Sequence, residues 1–586
     1  MPVPPSMTAD DPEIGRDPGT GNRPSASTRV ASALRRPVVA GIVLFLVYVA
    51  GSFVTDPGGS LSSDVGSKVA AVRAAEENGG VDIDVGYWAE EADPDGSFHA
   101  LYQTHRVDDA WVPVTTLPFL GPAIPLWWVG GYRAVVLLAM LGSVATAFAA
   151  RSLAMRLGAH TGWSAYWLTG LASPVALYAL VFWEHSVGLA LMAWAVVALV
   201  DAFRNSGEWW RAGVAGLLFG VAGTMRTEAL LFGAVATVVV LVRLLVDART
   251  SRRKLTAAAR RGLAAGCAAL VGVALPLLAN DLLERAWLGA SLRSGRATGA
   301  AGDAVENSAQ RIDETFRSLL GLNRIQEPAL DAAIGFVIVV TLVGGAAFLR
   351  RRGGGRLVPV AMMLTAWTLL VAVFADRLSF LPGLFIASPL AAYGVVAMWE
   401  TPDRRMIGAI ALLAIPGVLL TAYVGGAGPQ WGGRYLLLSG LLLLVVATVA
   451  LRDLGRVGTA LLVGPAIAVT VFGFAWTVQR SHALADFGRV LEERPEPVVI
   501  SASPYQLREA GAFYEDGRYL TLPRRSLVTE LADVLEELDV DEFALVDIDD
   551  GRPPVGPVGP YEPDAVDTAQ FLPGVDVTIT HYEAVG

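Results

Sequence analysis

Apolar residues in this chain fall into blocks long enough to cross a membrane, and that blockiness constrains the fold more than any single motif. A helix needs about 20 predominantly apolar residues to span the hydrocarbon core. Such blocks occur at residues 37–54, 131–150, 163–182, 186–203, 211–225, 228–246, 260–280, 331–349, 357–375, 380–399, 406–424, 435–451 and 457–477. They predict a mainly α fold, a polytopic transmembrane helical bundle of about thirteen spans. The balance of 53% apolar against 17% charged residues among 586 fits that reading and not a soluble domain.

Basic residues then orient the spans. Arg35 and Arg36 precede the first block, Arg151 and Arg156 follow the second, and Arg204 follows the fourth. Arg249, Arg252, Arg253 and Lys254 come next, then Arg350, Arg351, Arg352 and Arg356, then Arg404 and Arg405, then Arg452 and Arg456. All fall on one side if the spans alternate, as the positive-inside bias requires. The expected protein is therefore a multi-pass plasma-membrane protein with a cytoplasmic N-terminus and an extracytoplasmic C-terminus. Residues 1–36 read as a disordered cytoplasmic tail. The first block, preceded by that polar stretch, reads as a retained anchor.

The expected domains are a membrane domain over 37–480, with outer loops at 55–130 and 281–330, and a small extracytoplasmic α/β domain over 481–586. In the last, PVVIS from Pro497 and FALVDID from Phe543 have strand character, and SLVTELADVLEEL from Ser526 has helical spacing. That domain carries no phosphate loop and no nucleophile elbow, so it is expected to support rather than catalyse. Net charge is −10 and the basic residues cluster beside the apolar blocks, so nucleic acid is not an expected partner. Cys267 is the only cysteine, which excludes an intrachain disulfide and a cysteine-based zinc site.

Charged residues at expected span ends mark the candidate site. Ser63-Asp64-Val65-Gly66-Ser67-Lys68 follows the first span and places an acid and a base four residues apart. The plainest account of Asp64 and Lys68 is an i,i+4 ion pair on an interfacial helix. Glu184 and His185 in FWEHS, Arg226 and Glu228 in MRTEALL, and Gln430 and Arg434 in GPQWGGRY add both signs of charge at the same expected face. Charge at membrane depth is costly and marks a buried pair or a functional path. One chemistry that such a set could serve is a hydroxyl attacking the anomeric carbon of a sugar carried on a lipid phosphate. Asp64 then takes the proton, Lys68, Arg226, Arg434 and Gln430 meet the phosphate, and Glu184, His185 and Glu228 contact the sugar or acceptor.

No cofactor is firmly predicted, a divalent cation being the one candidate. His99, His105, Asp108 and Asp109 lack a recognised zinc spacing, and the acidic run from Asp82 to Asp95 lacks the EF-hand order. Trp127 and Trp128, and on the other side Trp209 and Trp210, read as interfacial anchors.

These motifs resemble the GT-C class of polytopic glycosyltransferases, and are similar to those of its bacterial and archaeal dolichyl-phosphate-mannose and aminoarabinose transferase-like members. The resemblance rests on SDVGSK, WVPVTTLPFLGPAIPLWWVGG, SPVALYALVFWEHS, GVAGTMRTEALL and QWGGRYLL in that order, and covers roughly residues 37–480. It implies a membrane enzyme of cell-envelope glycosylation that moves a hexosyl or pentosyl group from a polyprenyl-phosphate-linked donor to a glycan, lipid or protein acceptor. Asp64 is the base that it implies. Val65 stands where the mannosyl branch often has a second acid, which leaves the sugar open. Rival readings are a transporter or flippase, favoured by Pro174, Pro276, Pro389 and Pro416 within spans, a polymer ligase, and a non-catalytic membrane scaffold.

Overall fold

A computed structural model describes residues 34–59, 63–101, 104–113, 117–160, 162–204, 208–250, 255–292, 357–374, 382–421, 431–502, 516–548, 555–572 and 575–585. It also describes residues 314–315, 317–320, 345–346, 355, 507 and 514. Residues up to Leu44 and those from Phe45 onward are separate compact units. The first contributes the start of helix α1 (Pro37–Ser52), and all later elements belong to the second.

Helix α2 (Ser63–Glu77) opens with Asp64 in its first turn, where a carboxylate is favoured by the helix dipole. A short hairpin, β1 (Thr104–Val107) with β2 (Ala110–Pro113), follows in the same loop. Helix α3 (Leu117–Arg156) is two helices in sequence, broken at Gly130 and Gly131, where Gly131 has φ 57°. Its second half matches the span expected at 131–150. Its first half is the Pro- and Trp-rich approach, with Trp128 and Val129 exposed.

The span expected at 163–182 is not one helix. It stops at α4 (Trp163–Leu171) and resumes only as one turn, α5 (Val175–Tyr178). Pro174 lacks an N–H and disfavours helical backbone before it. Ser173 fills the gap, its hydroxyl donating to Thr169 O at 2.6 Å. The chain then turns through Trp183 into α6 (His185–Arg204), α7 (Trp210–Met225), α8 (Glu228–Thr250) and α9 (Leu255–Leu288), each on an expected span. Helix α9 runs on to Leu288, so the second large loop starts after it rather than at 281. Helices α7 and α9 touch backbone to backbone: a Cβ on Gly216 would strike Ala269 O, and one on Gly272 would strike Gly213 O.

The span expected at 331–349 lies outside the described residues except for Gly345 and Ala346. Helix α10 (Val358–Phe374) follows. The span expected at 380–399 is broken into α11 (Leu384–Ala387) and α12 (Pro389–Ala397), because Ser388 caps a helix that Pro389 begins. Helices α13 (Pro402–Thr421), α14 (Leu437–Leu451) and α15 (Gly455–Glu492) complete the bundle. Among the described residues seven helices are long and apolar enough to cross a membrane, so the protein is a multi-pass membrane protein. Helix α14, apolar on every face, is fully enclosed, every residue from Leu437 to Leu451 being buried. Helix α9 presents Leu263, Leu270, Leu278 and Leu282 outward, toward lipid.

Arg156, Arg204 and Arg452, each from a different loop, lie close together. Arg156 grips Asp201 through Nε and Nη2, both at 2.6 Å, and Arg211 joins it at 2.8 Å. Arg204 reaches Asp403 at 2.6 Å, and Arg452 donates to Gly158 O at 2.9 Å. Four loops separated by up to 294 residues thus share one polar layer.

Helix α15 passes through residue 480 unbroken, so the sheet domain begins after Glu492. It comprises β3 (Val498–Ser501), β4 (Arg518–Thr521), α16 (Val528–Glu537), β5 (Glu542–Ile548), β6 (Tyr561–Leu572) and β7 (Val575–Ala584). The sheet order is β4-β3-β5-β7-β6, parallel around β3 and antiparallel around β7. The edge of β4 is covered by the first loop. Thr521 N donates to Phe98 O at 2.8 Å, Trp88 Nε1 to Tyr519 O at 3.2 Å, and Arg73 of α2 forks onto Asp516 at 3.2 and 3.3 Å. His99 is buried in this seam against Tyr87, Trp111 and Tyr514, with its ring nitrogens committed to Gly86 O and Leu101 N. Burial lowers its pKa to about 4. It is a structural side chain rather than an available metal ligand.

Candidate active site

Local backbone chemistry explains how each charged residue reaches the site. The break at Ser173 and Pro174 delivers Glu184 to the start of α6, where its C=O accepts from Gly188 N at 2.8 Å. Arg226 caps α7 in extended geometry, φ −138° and ψ 109°, and Glu228 begins α8 two residues later. Gly188 leaves room for Arg226: a Cβ there would lie 3.0 Å from Arg226 Cγ. Arg434 is presented by Gly432 and Gly433, at φ 75° and 67°. A Cβ on Gly432 would lie 2.6 Å from Pro174 Cγ, and one on Gly433 would strike Ser318 O. Both positions therefore require glycine for conformation and for space.

The structure brings Asp64, Lys68, Glu184, His185, Arg226, Glu228 and Arg434 together. Gln430 lies outside the described residues. Asp64 and Lys68 do not form the i,i+4 pair that their spacing suggests. Lys68 Nζ donates to the Asp64 backbone carbonyl at 3.1 Å and pairs with Glu184 Oε2 at 3.0 Å. Asp64 Oδ2 instead accepts from Arg434 Nη1 at 3.1 Å. Arg226 binds Glu184 Oε1 through Nη1 at 3.1 Å and Glu228 Oε1 through Nε at 2.9 Å. The pairing differs because the folded chain places Glu184 against Lys68 and Arg434 against Asp64, so each finds an opposite charge from another element.

Three carboxylates and three cations balance, which is what allows so many charges below the surface. Lys68, Glu184, Arg226 and Glu228 are each less than 10% exposed. The balance is incomplete in hydrogen-bond terms. Arg226 Nη2, Glu228 Oε2, Arg434 Nε and both nitrogens of His185 are buried with no partner among the described residues. A buried polar group left unpaired costs roughly 1–3 kcal/mol, and one bridging water is enough to satisfy several such atoms. They line a cavity of about 10 Å³ between His185, Arg226, Glu228, Arg434 and Tyr435.

Aromatic rings outside the expected site residues complete the site. Tyr435 lies 4.8 Å from the guanidinium carbons of both Arg226 and Arg434. Trp183 stands 5.6 Å from Arg434 and 4.2 Å from the His185 ring. Tyr178 donates to Trp431 O at 3.0 Å, tying the two motifs together. Their adjacency to charges in FWEHS and GGRY was the available signal. Among the described residues no three His, Cys, Asp or Glu side chains converge to hold a metal ion, so no residue set is assigned to a divalent cation.

No family model matches the sequence, and no curated protein matches it. Solved structures resemble it in general chain course. The oligosaccharyltransferase of Archaeoglobus fulgidus in its apo form is 10% identical, over 86% of this chain and 69% of that one, with a TM-score of 0.44. The same archaeon's AglB, in complex with an inhibitory peptide and a dolichol-phosphate, is 10% identical over the same shares, at 0.42. ArnT from Cupriavidus metallidurans bound to undecaprenyl phosphate is 13% identical over 95% of this chain and 98% of that one, at 0.39.

Proposed function

We propose that this protein transfers a sugar from a polyprenyl-phosphate-linked donor to an extracytoplasmic acceptor hydroxyl on a glycan, lipid or protein. The observation that carries the reading is one carboxylate, Asp64, held at 3.1 Å by Arg434 beside the buried cations Lys68 and Arg226. In the reaction an acceptor oxygen bonds to the anomeric carbon as the bond from that carbon to the phosphate oxygen breaks. The acceptor's proton passes to Asp64. The polyprenyl phosphate leaves with the bonding electrons, and Lys68, Arg226, Arg434 and Gln430 receive its charge. Glu184, His185 and Glu228 face the sugar or acceptor.

On this reading the cluster lies at the outer face of the plasma membrane, with the N-terminus in the cytoplasm and the sheet domain outside. The clustering of Arg156, Arg204, Arg211 and Arg452 at the other ends of the same helices supports that orientation. The charges crowd the ends of helices rather than their middles, which favours a surface-facing enzyme over a transporter. The test is transfer of radiolabelled sugar from a panel of polyprenyl-phosphate donors, with wild type and Asp64→Asn at matched folded levels. Label should move only when Asp64 is intact; transfer undiminished in Asp64→Asn would remove it as the base.

A further inference from the structure

In the proposed reaction Lys68 and Arg226 receive the phosphate, yet one carboxylate already occupies both. Glu184 Oε2 lies 3.0 Å from Lys68 Nζ and Glu184 Oε1 lies 3.1 Å from Arg226 Nη1. Two oxygens on one carbon, each meeting its own cation, reproduce the way a phosphate would bridge the same pair. The adjoining cavity of about 10 Å³ holds no more than a single water. A phosphate therefore bridges Lys68 and Arg226 only if Glu184, which now bridges them, moves aside. Its setting permits that. Glu184 precedes α6 rather than lying within it, and its backbone is anchored by the bond from Gly188 N. The side chain alone has to swing. Arg226 keeps its place meanwhile, because Glu228 holds its Nε at 2.9 Å.

The chemistry of the leaving group gives this arrangement a use. A sugar phosphodiester donor carries one negative charge, whereas a phosphate monoester product carries about −1.5 to −2 near neutral pH. Lys68, Arg226 and Arg434 together would bind the product more tightly than the donor and stall the enzyme. Resting on the function proposed above, we propose that Glu184 is a tethered competitor for the donor phosphate. It closes over Lys68 and Arg226 in the empty site, yields to the donor, and returns to expel polyprenyl phosphate after transfer. While displaced, it is free to accept from sugar hydroxyls, the contact its position in FWEHS suggests.

The experiment measures binding of undecaprenyl phosphate, the stand-in for product, to the purified full-length protein and its variants. Glu184→Gln should bind it at least about tenfold more tightly than wild type, with a lower donor KM, a lower kcat and stronger product inhibition in the same proportion. Undecaprenyl phosphate should also raise the Tm of Glu184→Gln more than that of wild type. Glu184→Asp, whose shorter arm cannot span both cations, should fall between and guards against misfolding of the Gln variant. Equal or weaker binding in both Glu184 variants, with binding lost in Lys68→Met, overturns the competitor role and leaves the phosphate site standing. Binding indifferent to Glu184→Gln, Lys68→Met and Arg226→Met overturns the competitor and the proposed function together.

Discussion

Helices α6 and α7 carry charge at both ends, and the two ends differ in kind. At one end Asp201, Arg204 and Arg211 meet Arg156 and Asp403 in pairs of 2.6 to 2.8 Å. The Arg204–Asp403 pair stays over 30% exposed, so water completes its solvation. At the other end Glu184, His185 and Arg226 are buried, and several of their polar atoms have no partner among the described residues. The residue types are similar; the solvation is not. Pairs that keep contact with water are structural staples worth about 0–1 kcal/mol, whereas breaking a fully buried pair strands a charge in the interior and costs several kcal/mol.

The contrast makes its largest prediction for arginine. Arg226→Met should destabilise the protein by about 3–5 kcal/mol, because it strands Glu184 and Glu228 in the interior. Arg211→Met should cost no more than about 1 kcal/mol, since Arg156 still holds Asp201. Unfolding of the purified protein checks both, and equal losses would break the contrast.

A second prediction concerns a buried polar group outside the ion-pair cluster. His99 is neutral in the seam between the first loop and the sheet domain, with its pKa lowered to about 4 from an ordinary 6.5. The unfolded chain binds its proton first, so this contribution is complete above pH 6.5 and is lost as pH falls toward 4. The loss amounts to about 3 kcal/mol. His99→Phe should flatten that part of the stability profile without altering the ion-pair cluster. An unchanged profile would show that His99 is not the group responsible.

Glycine supplies the smallest and sharpest comparison. Gly433 and Gly455 have φ of 67° and 70°, one presenting Arg434 and the other opening α15. A Cβ on Gly455 meets open space, so Gly455→Ala should cost only backbone strain of about 1 kcal/mol. Gly433→Ala adds a collision with Ser318 O, shifts Arg434, and should lower sugar transfer by roughly 100-fold. Equal effects on transfer would mean that the glycine turn does not place Arg434.

How far the sequence reaches depends on the range of the physics involved. Apolar blocks are local, and the helices from α6 to α9 lie where block length puts them. The breaks at Pro174 and Pro389 are local too, but mean hydropathy does not register a missing N–H, so both spans read as continuous. Alternation of spans puts Asp64, Glu184, Arg226 and Arg434 on one face but does not determine their pairing. Lys68 finds Glu184, and Asp64 finds Arg434, 370 residues away, through a packing that no window of sequence contains. For the same reason the docking of the first loop on β4, through Arg73, Trp88 and Phe98, was not legible.

The central claim is that the cluster of Asp64, Glu184, Arg226 and Arg434, and not the one around Asp201, performs chemistry. Its most direct test compares Asp64→Asn with Asp201→Asn in transfer of labelled sugar from polyprenyl-phosphate donors, at matched folded levels. The expected result is a loss of about 10²–10⁴-fold for Asp64→Asn, the usual contribution of a general base, and transfer near wild type for Asp201→Asn. Wild-type transfer by Asp64→Asn, or equal losses in the two, would contradict it.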